Sequence, residues 1–418
     1  MNVIQLFPLA AGPIGPRRRG GTARRVSACL ALSLTLFTGA AAAQDTLARV
    51  LALPKASLLL EEGGREVIAR QPDRPMIPAS TMKIPTALAA IQRWGLGHRF
   101  HTDFHLTDDG WLWVKGQGDP YLVSEELDLV AEALKKRGVR SVSGIGSDDS
   151  RFGPDVEIAG RSSSNNPYDA PVTALAANFN TVNVVRSRDG VRSAEPQTPL
   201  TPLARHLGEA LAPGTHRVNL RERDLALRYF GELLGAKLAA AGVEVGGGLR
   251  SGPVPAGADL VYRHHNSRDL RAMLRSMLEY SNNFIANDLF LLLGDSDKGQ
   301  PLSIARAQGA ARNWAEKTFG WRDFRIEDGA GLSPGNRLSA RQLLEAVKAF
   351  APYRELLPSQ NGRVRAKTGT LSGVSCYAGF VQRNGGWEPF SLLINQSVPY
   401  ALRLEVADAL ADGSTSTQ

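Results

Sequence analysis

Ser80-Thr81-Met82-Lys83 sets a hydroxyl and an amine three residues apart. A serine hydroxyl is a poor nucleophile until a base takes its proton. Three residues on along a helix, Lys83 stands one turn away on the same face, where its amine reaches the Ser80 hydroxyl. A helix starting at Ser80 also turns its free amide protons and positive dipole end towards a reacting carbonyl. Taken alone, the pair reads equally well as a helix N-cap. Ser281-Asn282-Asn283 falls at a break between two helical stretches. A second hydroxyl there can carry a proton from Lys83 to a leaving amine, and Asn283 can hydrogen-bond a substrate backbone. Ser163-Ser164-Asn165 and Ser164-Asn165-Asn166 fit the same pattern, but they precede Pro167 in a polar stretch, and Ser281 is preferred. A register one residue earlier, Tyr280-Ser281-Asn282, would instead make Tyr280 the base.

Lys367-Thr368-Gly369-Thr370 closes a strand pattern. Lys367 supplies a fixed positive charge and Thr368 can bond a carboxylate. Gly369 lets a substrate lie against the strand backbone, as in peptide addition to a sheet edge. The backbone N–H of Thr370 can join that of Ser80 in an oxyanion hole.

These residues need rigid elements beneath them. An extended lead-in at 75–80 should feed a helix running to about 95, with Pro85 in or just past the first turn, where a missing amide proton costs little. Helices are expected at 268–280, 283–293 and 338–350, then strands at 364–370, 375–382 and 389–395. Asn384-Gly385-Gly386 joins the last two strands as a hairpin, and a closing helix spans 401–411. Between the two motif-bearing parts, residues 103–257 read as one or two inserted α/β subdomains, with helices at 125–138 and 225–242. The expected division is 44–102 with 258–418 as one discontinuous domain and 103–257 as the insert.

The order S-x-x-K, S-x-N, K-T-G resembles the signature of penicillin-binding proteins and serine β-lactamases. Further stretches are similar to the low-molecular-mass class C penicillin-binding proteins, the D-alanyl-D-alanine carboxypeptidase/endopeptidases. They are Gly116-Gln117-Gly118-Asp119-Pro120, Asp148-Asp149-Ser150, 166–172, Asn180-Thr181-Val182-Asn183, 328–333 and 367–375. The similarity covers nearly all of the chain beyond residue 43. It implies an α+β penicillin-recognition domain, an antiparallel sheet between helical layers. It also implies an acylation–deacylation cycle on peptidoglycan stem peptides. Ser80 would attack the D-Ala carbonyl, Lys83 would act as base, Ser281 would relay the proton and Lys367 would hold the substrate carboxylate. β-Lactams would trap Ser80 as an ester. A serine β-lactamase on the same scaffold is the first rival, and the long insert and the lack of a convincing Glu-x-x-x-Asn loop weigh against it. A non-catalytic β-lactam sensor or wall-binding module is the second, and the three intact motifs weigh against that.

Other residues point away from chemistry. The first 43 residues carry Arg17, Arg18, Arg19, Arg24 and Arg25, an apolar run at 26–40 and Ala41-Ala42-Ala43, which is the pattern of a cleaved export signal. The apolar run is short for a membrane span, so none is expected after cleavage, and the location implied is periplasmic. Without these residues the formal net charge of +8 falls to about +3, and no basic tract argues for nucleic acid. Cys376 is the one cysteine beyond residue 43 and reads as a buried strand residue. His98, His101 and His105 suggest a metal site less than they suggest a solvated strand face, His264-His265 reads as surface, and Asp148-Asp149 reads as loop charges. No cofactor or metal is expected.

Overall fold

The computed structural model describes residues 43–295 and 299–413. Helix α1 (43–51) precedes β1 (Ala56–Glu62) and β2 (Arg65–Arg70). Gly63 and Gly64 turn this hairpin at φ of 56° and 79°, angles that glycine adopts without steric cost. A 3-10 turn (Ala79–Met82) leads directly into α2 (Lys83–Trp94). The middle of the chain forms β3 (His101–Leu106), β4 (Trp111–Gly116), α3 (Ser124–Lys136), β5 (Ser141–Asp148), β6 (Thr181–Ser187), β7 (Gly190–Ser193), α4 (Pro202–Glu209), β8 (Gly214–Asn219), α5 (Arg223–Ala240), β9 (Glu244–Ser251) and β10 (Asp259–His265). Then come α6 (Leu270–Glu279), α7 (Asn283–Leu293), α8 (Ile304–Phe319), α9 (Ala340–Ala349), β11 (Ser359–Gln360), β12 (Val364–Leu371), β13 (Val374–Arg383), β14 (Gly386–Ile394) and α10 (Leu402–Ala411).

One sheet runs β11-β12-β13-β14-β1-β2, antiparallel throughout. Its inner strands β1 and β13 are apolar on both faces because helices cover both. In β13, Cys376, Ala378 and Phe380 enter the core with α2, α6, α7 and α9, while Tyr377 and Val381 turn to α1 and α10. The period of two along a strand makes this division automatic. The expected antiparallel sheet between helical layers is therefore observed, and α+β is the fold class.

The middle of the chain builds its own core. A five-stranded sheet, β10-β3-β4-β5-β9, mixes antiparallel pairs with the parallel pairs β4–β5 and β5–β9. Leu127, Val130 and Leu134 of α3 and Phe230, Leu233 and Leu234 of α5 fill the space against it. A smaller antiparallel sheet, β7-β6-β8, stands beside it. The larger sheet takes in β3 from His101 and β10 to His265, so sheet membership runs slightly wider than 103–257. Apart from Ala43, the export segment expected over 1–43 lies outside the described residues. Among the described residues no helix is long and apolar enough to cross a membrane.

Candidate active site

Ser80 lies on the 3-10 turn wedged between β12 and the loop at 328–333. The wedge is tight. A Cβ on Gly369 would stand 2.8 Å from the Pro78 carbonyl and 3.0 Å from the Ser80 nitrogen. A Cβ on Gly331, itself at positive φ, would run into the Ala79 carbonyl. Gly369 thus makes room for the Ser80 turn, a different neighbour from the substrate backbone expected for it. The Thr81 hydroxyl donates to the Pro78 carbonyl at 2.6 Å and fixes the turn from within.

α2 begins at Lys83, not at Ser80, which puts Pro85 third in the helix, where its missing N–H has no intrahelical partner to lose. Lys83 is fully buried. Its Nζ lies 3.1 Å from Ser80 Oγ, 2.8 Å from Asn283 Oδ1 and 2.9 Å from the Ala330 carbonyl. Burial holds its pKa well below the usual lysine value, and the charge of Lys367 adds to the effect, while Asp328 opposes it.

Two groups fix these acceptors. Asp328, wholly buried, accepts from the backbone N–H groups of Ala330, Leu332 and Ser333 and from Asn336 Nδ2. Asn287 Oδ1, from α7, accepts from the N–H groups of Gly329 and Ala330. Together they aim the Ala330 carbonyl at Lys83. These residues carry the second layer of the site, and chemical reasoning from spacing missed them. The only signal in the sequence was the similarity of 328–333 to the family pattern.

Ser281 forms the break between α6 and α7 at positive φ (53°), and Asn282 caps α7 by accepting from the N–H of Ile285. Ser281 lines the same cleft as Ser80, but no hydrogen bond joins it to Lys83. Asn283, expected on the substrate, instead spends Oδ1 on Lys83 and donates from Nδ2 to the Tyr168 carbonyl at 3.3 Å. Across the cleft, Lys367 Nζ donates to the Thr368 carbonyl at 3.0 Å. Burial, helped by Arg403, brings its pKa down to about 8, against the opposing charge of Glu279. Ser80, Ser281, Asn283, Lys367, Thr368 and Thr370 line one cleft of about 550 Å³.

The residues set aside fall elsewhere. Ser164 is bonded to Asp169, and Tyr280 is exposed at the cleft rim. The Cys376 thiol is buried, with its pKa pushed up to about 12 by burial. Three surface readings need correction. His264 is buried, with Nε2 2.9 Å from Glu126 Oε2. Asp103, on the face read as solvated, is buried and paired at two points with Arg263. Asp148 and Asp149 are buried at the C-terminal end of β5, where Asp149 pairs with Arg223. No group of three His, Cys, Asp or Glu among the described residues could hold a metal ion.

The class of protein follows from the fold. The chain superposes on penicillin-binding protein 4 from Haemophilus influenzae with a TM-score of 0.72 at 20% identity, covering 89% of this chain and 98% of that one. It also superposes on a predatory peptidoglycan endopeptidase from Bdellovibrio bacteriovorus (TM-score 0.51, 14% identity, 85% and 90% covered). This is the penicillin-recognition fold. The chain belongs to the D-Ala-D-Ala carboxypeptidase 3 (S13) family, whose model matches residues 58–205, 208–358 and 352–413. A D-alanyl-D-alanine carboxypeptidase from Actinomadura sp. (strain R39) is 27% identical over 96% of this chain and 92% of its own length. The protein is a serine-type DD-peptidase.

Proposed function

We propose that this enzyme cuts D-Ala-linked bonds in peptidoglycan stem peptides through an acyl-enzyme on Ser80, with Lys83 as base. The observation that carries the reading is the 3.1 Å approach of Lys83 Nζ to Ser80 Oγ in a fully buried setting. A neutral amine has two N–H donors and one lone pair. Asn283 Oδ1 and the Ala330 carbonyl take the two N–H groups, so the lone pair faces the Ser80 hydroxyl. A depressed pKa keeps Lys83 in that neutral form.

Lys83 takes the Oγ proton as Ser80 attacks the carbonyl. The N–H groups of Ser80 and Thr370 face the oxygen on which negative charge grows. Ser281 relays the proton from Lys83 to the leaving amine, which is the terminal D-Ala or a cross-linking amine. Lys367 and Thr368 hold the substrate carboxylate, and Gly369 keeps the strand close to the nucleophile. Asn283 steadies Lys83 and lines the substrate path. Water then frees the acyl group.

β-Lactams, cyclic amides beside a carboxylate, enter the same path and leave Ser80 esterified. The β-lactam complex of the H. influenzae protein supports this. The Bdellovibrio endopeptidase supports a wall-polymer substrate. The Arg-rich, apolar and Ala-rich segments at 1–43 support export to the periplasm. We further propose 44–102 with 258–418 as the peptidase domain and 103–257 as the insert.

Intact mass of the protein with benzylpenicillin, followed by peptide mapping, tests the reading. A lasting adduct on the Ser80 peptide, absent in Ser80→Ala, is expected. No adduct with rapid loss of the antibiotic would indicate a β-lactamase. No adduct with the antibiotic intact would end the acyl-enzyme reading.

A further inference from the structure

Arg403, on α10, is buried to 1% exposure directly behind the cleft wall. One terminal nitrogen donates to the Gly369 carbonyl at 2.8 Å and to Thr370 Oγ1 at 2.6 Å. Its Nε has no acceptor, and no carboxylate among the described residues pairs with it. The ring of Tyr400, at the cleft rim, covers it at 4.1 Å. A buried cation without a counter-ion is costly, so its presence here calls for a reason beyond packing.

Arginine can only donate. Thr370 Oγ1 is therefore the acceptor in this bond, and its own proton is free to turn elsewhere. Thr370 is exposed and lines the cleft. Its proton is thus available to an acceptor in the cleft, and a charged donor behind the oxygen strengthens the next bond in the chain.

We propose that Arg403 is a positioning residue for the substrate's terminal carboxylate: without touching it, Arg403 fixes Thr370 as a donor and adds positive charge behind Lys367. The proposal rests on the carboxylate reading of Lys367 given above. Lys367 is faced by Arg403 from α10, Glu279 from α6 and Lys83 from α2. Arg403 lowers the Lys367 pKa, so removing its charge raises that pKa.

The test is steady-state kinetics between pH 6 and 10 on a peptide ending in D-Ala-D-Ala and on its C-terminal amide. The variants are Arg403→Gln, Arg403→Lys and Thr370→Val. The ratio of kcat/KM for acid over amide does not depend on how much of a preparation is folded. In Arg403→Gln this ratio should fall about tenfold through KM of the acid, since bonds to charged groups are the strong ones. The alkaline limb should move to higher pH. Arg403→Lys should restore the limb and part of the ratio.

Thr370→Val, at an exposed position, should lose a similar factor and decides the matter if Arg403→Gln does not fold. An unchanged ratio in Thr370→Val overturns the proposal. So does an equal loss on both substrates in Arg403→Gln with the limb unmoved. Failure of the underlying reading looks different: a wild type that does not prefer the acid removes the role of Lys367, and this proposal with it.

Discussion

Two regions of the molecule bury charge of a single sign, and they treat it differently. Around the cleft stand Lys83, Lys367 and Arg403, each at most 2% exposed. Just past the ends of β4 and β5 stand Asp119 and Asp149, with Asp288 of α7 beside them, each at most 4% exposed. The cations are answered by fixed carbonyl, amide and hydroxyl oxygens. The acids are answered unevenly. Asp119 accepts from Asn266 and from the Tyr121 N–H, and Asp149 accepts from the Leu175 N–H and lies in an ion pair with Arg223, whereas neither oxygen of Asp288 has a hydrogen-bond partner among the described residues. Burial moves both sets towards neutrality, the lysines downwards and the acids upwards. Only in the cleft do the neighbours also direct what the neutral form does. A buried group becomes a reagent when its hydrogen bonds leave one lone pair or one proton unspent in a chosen direction.

The largest effect should come from removing the reagent itself. Lys83→Ala leaves Ser80 without its base, and acylation by benzylpenicillin should slow by about a thousandfold, the middle of the range for a positioned base. Stopped-flow acylation checks it. A rate within tenfold of wild type would mean that another group takes the proton. The supporting layer comes next. Asn287→Ala leaves the Gly329 amide without its acceptor and the Ala330 amide held by Asp328 alone, so the aim of the Ala330 carbonyl at Lys83 loosens. Acylation should fall by about ten- to a hundredfold, since small displacements of catalytic groups are costly. An unchanged rate would show that Asp328 alone holds the loop.

The pH profile separates the two lysines. Lys83 works as the free base, so activity rises as its lowered pKa is passed. Lys367 works as the cation, so it fails as pH climbs through about 8. The alkaline loss should appear in KM for a substrate ending in a carboxylate and spare the C-terminal amide. A loss shared equally by both substrates would assign it to another group.

How much of this was legible depended on distance along the chain. Ser80 and Lys83 are three residues apart, so helix geometry alone joined them. The contact of Lys83 with Asn283 spans 200 residues; spacing has nothing to join them by, and Asn283 was expected on the substrate instead. The sheet strands β12, β13 and β14 were visible because their apolar runs are bounded by turn residues such as Asn384-Gly385. α8 passed unnoticed because its buried face is Ala307, Ala311 and Ala315, small residues that make a weak apolar stripe. Asp149 and His264 were read as surface because polarity predicts exposure unless a partner is known. Those partners, Arg223 and Glu126, lie 74 and 138 residues away.

The smallest expected effect tests the acid layer. In the folded protein the pKa of Asp119 is raised to about 6 and that of Asp149 to about 7, both by burial, and that of Asp288 lies well above its ordinary value for the same reason. A carboxyl whose folded pKa is raised binds its proton more tightly in the native state. Its contribution is therefore whole below the unfolded value near 4 and is lost as pH rises through the folded one. Tm should fall as pH rises from 5 to 8, and part of that slope belongs to Asp288. Asp288→Asn keeps the shape and removes the titration, so the slope should flatten. At pH 8 the variant should match or exceed the wild type by about 2 °C, roughly what 1 kcal/mol is worth in a chain of this size. Differential scanning calorimetry across that range decides it. A slope as steep in Asp288→Asn as in the wild type would mean that Asp288 is already ionised in the folded protein across that range and binds no extra proton on folding. Burial would then have failed to move Asp288 towards neutrality, and the contrast with the cleft would rest on Asp119 and Asp149 alone.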